Sequence, residues 1–180
     1  MAYALFARHL TPDTCEIEKM LKNKYIKLVV FAGIIVLLDL FTKALVLRYV
    51  PFNHSIPVIQ GFFNITHIHN PGGAFGLMAN LNPTVRSIIF LFISSLAVGL
   101  IFYFYKKTPS NYPWLAAAFA LIFGGAIGNL VDRVRFGVVI DFLDFYIGNL
   151  HWPAFNVSDS TISVGIGIFV FHLLFKKMPE

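Results

Sequence analysis

Four long apolar runs alternate with polar segments along the chain, and they set the first expectation about its fold. The first is "LVVFAGIIVLLDLFTKALVLRYV", residues 28–50. The second covers about 85–105, the third is "YPWLAAAFALIFGGAIGNL" at 112–130, and the fourth covers about 157–175. A helix needs about 20 predominantly apolar residues to cross the hydrocarbon core of a bilayer, and each run meets or approaches that length. Between the first two runs, Phe62 to His69 alternates as a short strand would. Asn70-Pro71-Gly72-Gly73 then forces a turn and lets backbone approach a ligand closely. Between the last two runs, "VVIDFLDFYIGNLHWPAFNVSDS" mixes Asp141 and Asp144 with aromatic residues, a pattern suited to the membrane surface. The expected fold class is an all-α membrane protein. It is a four-transmembrane-helix bundle with a small β-like extracytoplasmic segment and an interfacial helix or loop.

Composition strengthens that reading. The 180 residues are 57% hydrophobic and 13% charged, with mean hydropathy +0.73, whereas soluble domains carry about 25% charged residues. The net charge of +5 does not point to nucleic acid, because the basic residues flank the apolar runs in short clusters. Lys19, Lys22, Lys24 and Lys27 precede the first run, Lys106 and Lys107 separate the second from the third, and Lys176 and Lys177 follow the fourth. With four alternating spans, all of them fall on one side, which the positive-inside rule makes cytoplasmic. Both termini are then cytoplasmic. Arg133 and Arg135 fall on the outer side, against the rule, and call for a structural or functional explanation. Residues 1–19 have no long apolar run and read as an N-terminal extension open to disorder, followed by one integral membrane domain over 20–180. The single cysteine, Cys15, excludes an internal disulfide or a CxxC site.

The polar residues within and beside the spans carry the chemistry. Asp39 and Lys43 stand one turn apart on one face of the first span, where a pair can neutralise itself. Gly124 and Gly128 have the small-xxx-small spacing that permits close helix packing. Asn129, Asp132 and Arg133 cluster after them, with Asp132–Arg133 also readable as a surface ion pair. Asn156 and Asp159 mark the threshold of the fourth span. Asp141 and Asp159 come from different elements at the outer boundary of the apolar layer. Two close carboxylates in a poorly hydrated site share one proton, so that one serves as acid and the other as base. Such a pair can activate water against a peptide carbonyl, and Asn156 can donate to an aspartate or to a developing oxyanion. His67 and His69 are metal candidates by type, but an HxH pair without a Glu or Cys partner reads as interfacial packing, and no metal is expected. The chain has no HExxH zinc-protease motif and no GxGD. A small ion-coupled transporter using Asp39 and Lys43, or a non-catalytic lipopeptide-binding protein, are the competing readings.

These motifs, in this order, resemble those of the lipoprotein signal peptidases, the signal peptidase II family. "DLFTK" at 39–43, "NPGGAFG" at 70–76, "GGAIGNLVDR" at 124–133, "VVIDFLDF" at 138–145 and "FNVSDS" at 155–160 carry the resemblance, which spans about 27–175. It implies a monomeric aspartic peptidase of the bacterial inner membrane that needs no cofactor. Its substrates would be lipidated prolipoproteins, cut just before the lipidated cysteine at the outer face. The resemblance makes Asp141 and Asp159 the catalytic pair. Asn70, Gly72, Asn129, Arg133 and Asn156 would then hold the substrate or the site, Asp39 and Lys43 would support it, and Asp132 and Asp144 would be neighbours.

Overall fold

The computed structural model describes residues 23–72 and 81–175. The N-terminal extension, Gly73 and Gly76 of the turn, and the lysines at 19, 22, 176 and 177 lie outside the described residues.

Each long helix starts and stops where local chemistry dictates. Helix α1 spans Lys24–Tyr49, with the Asn23 side chain accepting from the Tyr25 N–H at its start. Strands β1 (Ser55–Ile59) and β2 (Phe63–Asn70) follow. Helix α2 (Pro83–Lys107) begins at Asn82, whose side chain accepts from the Thr84 N–H, and has proline in its first turn, where the missing N–H costs nothing. Helix α3 spans Pro113–Phe136 and ends on Gly137, held at φ 72°, a left-handed cap that glycine adopts without penalty. Strands β3 (Val139–Ile147) and β4 (Leu150–His151) lead into helix α4 (Val157–Phe175). All four helices are long and apolar enough to cross a membrane.

Helix α3 is the hub, packing against α1, α2 and α4, while α2 meets α1 at its far end, where Lys24 donates to the Lys106 carbonyl oxygen. Glycine makes the closest of these contacts. A Cβ on Gly125 would lie 2.4 Å from the Ser158 carbonyl oxygen, and one on Gly128 would lie 2.1 Å from Ser158 Oγ and 2.8 Å from Asp39 Oδ2. The small-xxx-small spacing is therefore used, with Gly124 set against Ala32 and Ile35 of α1. Apolar residues such as Val29, Leu37, Phe41, Phe92 and Phe171 point outward from the bundle, as a lipid-facing belt requires. Two apolar clusters cap the interior. Leu28, Tyr105, Leu115, Phe119 and Ala120 pack at the lysine-bearing end, and Val46, Val50, Ile140 and Phe142 pack under the sheet.

The sheet corrects one expectation. Residues 139–151 form no interfacial helix or loop: β3 and β4 are strands of a four-stranded antiparallel sheet in the order β1-β2-β3-β4. β2 pairs with β3 in the register Ile68↔Asp141, His69↔Ile140 and Asn70↔Val139. The reason is backbone satisfaction. An extended segment at the rim of an apolar layer must pair its N–H and C=O groups, and β2 supplies them. The third span also runs past residue 130, to Phe136.

Candidate active site

Five elements converge beneath the sheet and bring together nearly every polar residue singled out in the sequence. Asn156, fully buried, precedes α4. Its Oδ1 accepts from the Asp159 N–H at 2.9 Å, while Asp159 Oδ2 accepts from the Asn156 N–H at 3.3 Å. This reciprocal pairing has the geometry of a capping box, and it places a carboxylate at the positive end of the α4 dipole. The same Asn156 uses Nδ2 to donate to Asp141 Oδ1 of β3 at 2.7 Å. One residue thus ties the two aspartates together, by its side-chain amide to Asp141 and its backbone N–H to Asp159.

Each aspartate has a second amide donor. Asn70, at the end of β2, donates from Nδ2 to Asp141 Oδ2 at 2.9 Å, and its Oδ1 accepts from the Gly72 N–H at 2.9 Å. Asn129, on α3, donates from Nδ2 to Asp159 Oδ1 at 2.7 Å. Its Oδ1 accepts from Lys43 Nζ and from Asn156 Nδ2, both at 3.2 Å. Because each amide has donors and acceptors on both sides, the network itself dictates which way Asn70 and Asn129 point. Arg133 lies a turn after Asn129 and donates to its carbonyl oxygen at 3.3 Å.

Below this layer sits a fully buried charged cluster. Lys43 Nζ is 2.7 Å from Asp39 Oδ2 and 2.8 Å from Asp132 Oδ2. Asp132 therefore pairs inward with Lys43 and not with Arg133 at the surface. One ammonium faces two carboxylates, and backbone amides share the remaining load: Ser158 N–H donates to Asp39 Oδ1 at 2.9 Å, and Ile140 N–H donates to Asp132 Oδ2 at 3.1 Å. These two amides, one at the start of α4 and one in β3, were illegible in the sequence, since any residue supplies them. Asp39 and Asp132 thus fix the starts of the two segments that carry Asp159 and Asp141.

Electrostatics separate Asp141 from an ordinary aspartate. Burial, then the neighbouring Asp159 charge, push its pKa from 3.8 to about 7, against the pull of the Asn70 and Asn156 hydrogen bonds. Asp141 is almost fully buried, whereas Asp159 is only half-buried. Asp144 does not join the group. It accepts from Asn64 Nδ2 at 2.9 Å and meets His151 Nδ1 at 2.8 Å, away from the pair. No group of three or more His, Cys, Asp or Glu side chains among the described residues is arranged to hold a metal.

Comparison with known proteins places this site in a family. A family model described as "Signal peptidase (SPase) II" matches residues 31–175. A lipoprotein signal peptidase of Desulforapulum autotrophicum is 53% identical over 155 residues, covering 86% of this chain and 96% of that protein. Another, of Syntrophus aciditrophicus, is 45% identical over 89% of this chain and 99% of that protein. A solved bacterial membrane enzyme superposes with a TM-score of 0.74 at 29% identity, covering 84% of this chain and 94% of the other. The matched region contains all of the amides and carboxylates described above, and the chain belongs to the signal peptidase II family, the lipoprotein signal peptidases.

Proposed function

We propose that this chain is an aspartic endopeptidase that removes the signal peptide from diacylglyceryl-modified prolipoproteins, cutting just before the lipidated cysteine. Asp141 and Asp159 are the catalytic pair. The observation that carries this assignment is the bridge made by Asn156, which bonds both carboxylates at once. With one proton shared, the ionised carboxylate takes a proton from water while the water oxygen attacks the scissile carbonyl carbon. The protonated carboxyl gives its proton to the carbonyl oxygen. Collapse of the gem-diol intermediate breaks the C–N bond as the proton taken from water passes to the departing amine, and one diol hydroxyl returns its proton to the other carboxylate, restoring the pair. The pair supplies both acid and base, so these steps call for no cofactor.

Asn70, Asn129 and Asn156 hold the carboxylates, and Gly72 keeps backbone beside Asn70 for the substrate. Arg133, Asp39, Lys43 and Asp132 keep the frame in place. The orientation is with both termini cytoplasmic and the site toward the outer face. It is supported by Lys24, Lys27, Lys106 and Lys107 at the end of the bundle opposite the sheet.

The test is cleavage of a diacylglyceryl prolipoprotein by purified wild type and Asp159→Asn in detergent, with a chelator present. Wild type should cut. The variant should bind substrate and lose cleavage by on the order of a thousandfold or more. Near-normal cleavage by Asp159→Asn would make that carboxylate structural and overturn the pair.

A further inference from the structure

Outside the active site, the sheet holds a second convergence of titratable groups. His67 and His69 lie two apart on the same face of β2, and their Nε2 atoms are 3.1 Å apart. His67 is buried, and its Nδ1 is 2.8 Å from the Val50 carbonyl oxygen. A carbonyl only accepts, so Nδ1 carries the proton and His67 Nε2 presents a bare lone pair toward His69. Phe52 packs tilted on the His69 ring at 4.4 Å and edge-on to His67 at 5.7 Å, which limits rotation of both. His69 is open to solvent.

We propose that His67 and His69 form a two-imidazole site for a divalent first-row transition metal of the zinc class. Two features support it. Zn–N bonds of 2.0–2.1 Å at a tetrahedral angle put two ligand nitrogens about 3.3 Å apart, within a few tenths of the observed separation. A ligating histidine characteristically donates its other ring N–H to a carbonyl or carboxylate, which fixes the tautomer, and Val50 does this for His67.

On binding, the metal takes the place of the proton now shared between the two Nε2 atoms. That proton passes to the free Nδ1 of His69, both rings remain neutral ligands, and water completes the coordination. The remaining charged and titratable groups of the sheet stand apart: Asp144 is held by Asn64 and His151, and Asp141 by Asn70 and Asn156. The metal adds nothing to the chemistry proposed for the aspartate pair.

The experiment is calorimetric titration of tag-free protein in detergent with Zn2+ at neutral pH, for wild type, His69→Gln and the control His54→Gln. Wild type and His54→Gln should each show one saturable site in the micromolar range. His69→Gln, at an exposed position, should weaken it roughly tenfold or more. Absence of a saturable site in wild type, or equal binding by His69→Gln, overturns the proposal. Binding is read without substrate, so its outcome is independent of the peptidase assignment.

Discussion

At the residue scale, Asp141 determines how the protein responds to pH. Its unfolded carboxyl releases a proton near 3.8 and its folded one near 7. A pKa raised on folding stabilises the fold fully below the unfolded value, and that contribution is lost as pH rises through the folded one. Between pH 4 and 7 the wild type should therefore lose stability relative to Asp141→Asn by roughly 1.4 kcal/mol per pH unit. The comparison is one of slopes from thermal unfolding at several pH values, because the amide also faces two donors, Asn70 and Asn156, and shifts the variant by a constant amount. Parallel curves would show that Asp141 has an ordinary carboxyl. The same displaced titration should put the alkaline limb of the kcat/KM profile near pH 7, where the free enzyme's aspartate pair loses its shared proton.

At the element scale, two features lock the helices that carry the pair. The first is the Gly125 contact with the Ser158 carbonyl, backbone against backbone, which no side-chain rotation can relieve. Gly125→Ala should destabilise the protein by about 1–3 kcal/mol in detergent unfolding. Gly33→Ala, where an added methyl meets nothing within 4 Å, should cost little. The second is Lys43, the cation shared by Asp39 and Asp132. Lys43→Met leaves two buried carboxylates uncompensated, and the expected loss is about 3–5 kcal/mol. Because Lys43 also holds Asn129, and Asn129 holds Asp159, residual folded Lys43→Met should cut poorly. Full activity per folded molecule would show that the charged cluster only supports the fold.

At the scale of the whole molecule, the site is recessed. Asn129 lies about 10 Å below the end of α3, at 1.5 Å per residue. With the proposed function and orientation, a substrate anchored by lipid chains would need little displacement out of the bilayer to reach the aspartates. The proposed orientation is checked by labelling intact cells with a membrane-impermeant thiol reagent in a Cys15→Ser background. Asn149→Cys, in the β3–β4 turn, should react at once. Asn111→Cys, at an exposed position in the α2–α3 turn, should react only when the membrane is opened. The reverse pattern would invert the topology and put the site on the cytoplasmic side.

The sequence by itself determined the four spans, the side that carries the lysines, a strand over Phe62 to His69, which the structure shifts by one residue to Phe63–Asn70, and the residue types of the site. Those properties are local: apolar length, charge placement, period-two alternation and turn chemistry act over a few neighbouring residues. It also named Asp141 and Asp159, because carboxylates beside lipid are costly enough to stand out. Only the tertiary structure decided that residues 139–151 extend the sheet, since mixed aspartates and aromatics suit an interfacial helix as well as a strand until β2 is there to pair with. It alone turned Asp132 toward Lys43, set Asn156 between the two aspartates, and enlisted the Ser158 and Ile140 amides. Those choices depend on contacts between residues far apart in the chain, and on backbone groups that every residue carries alike.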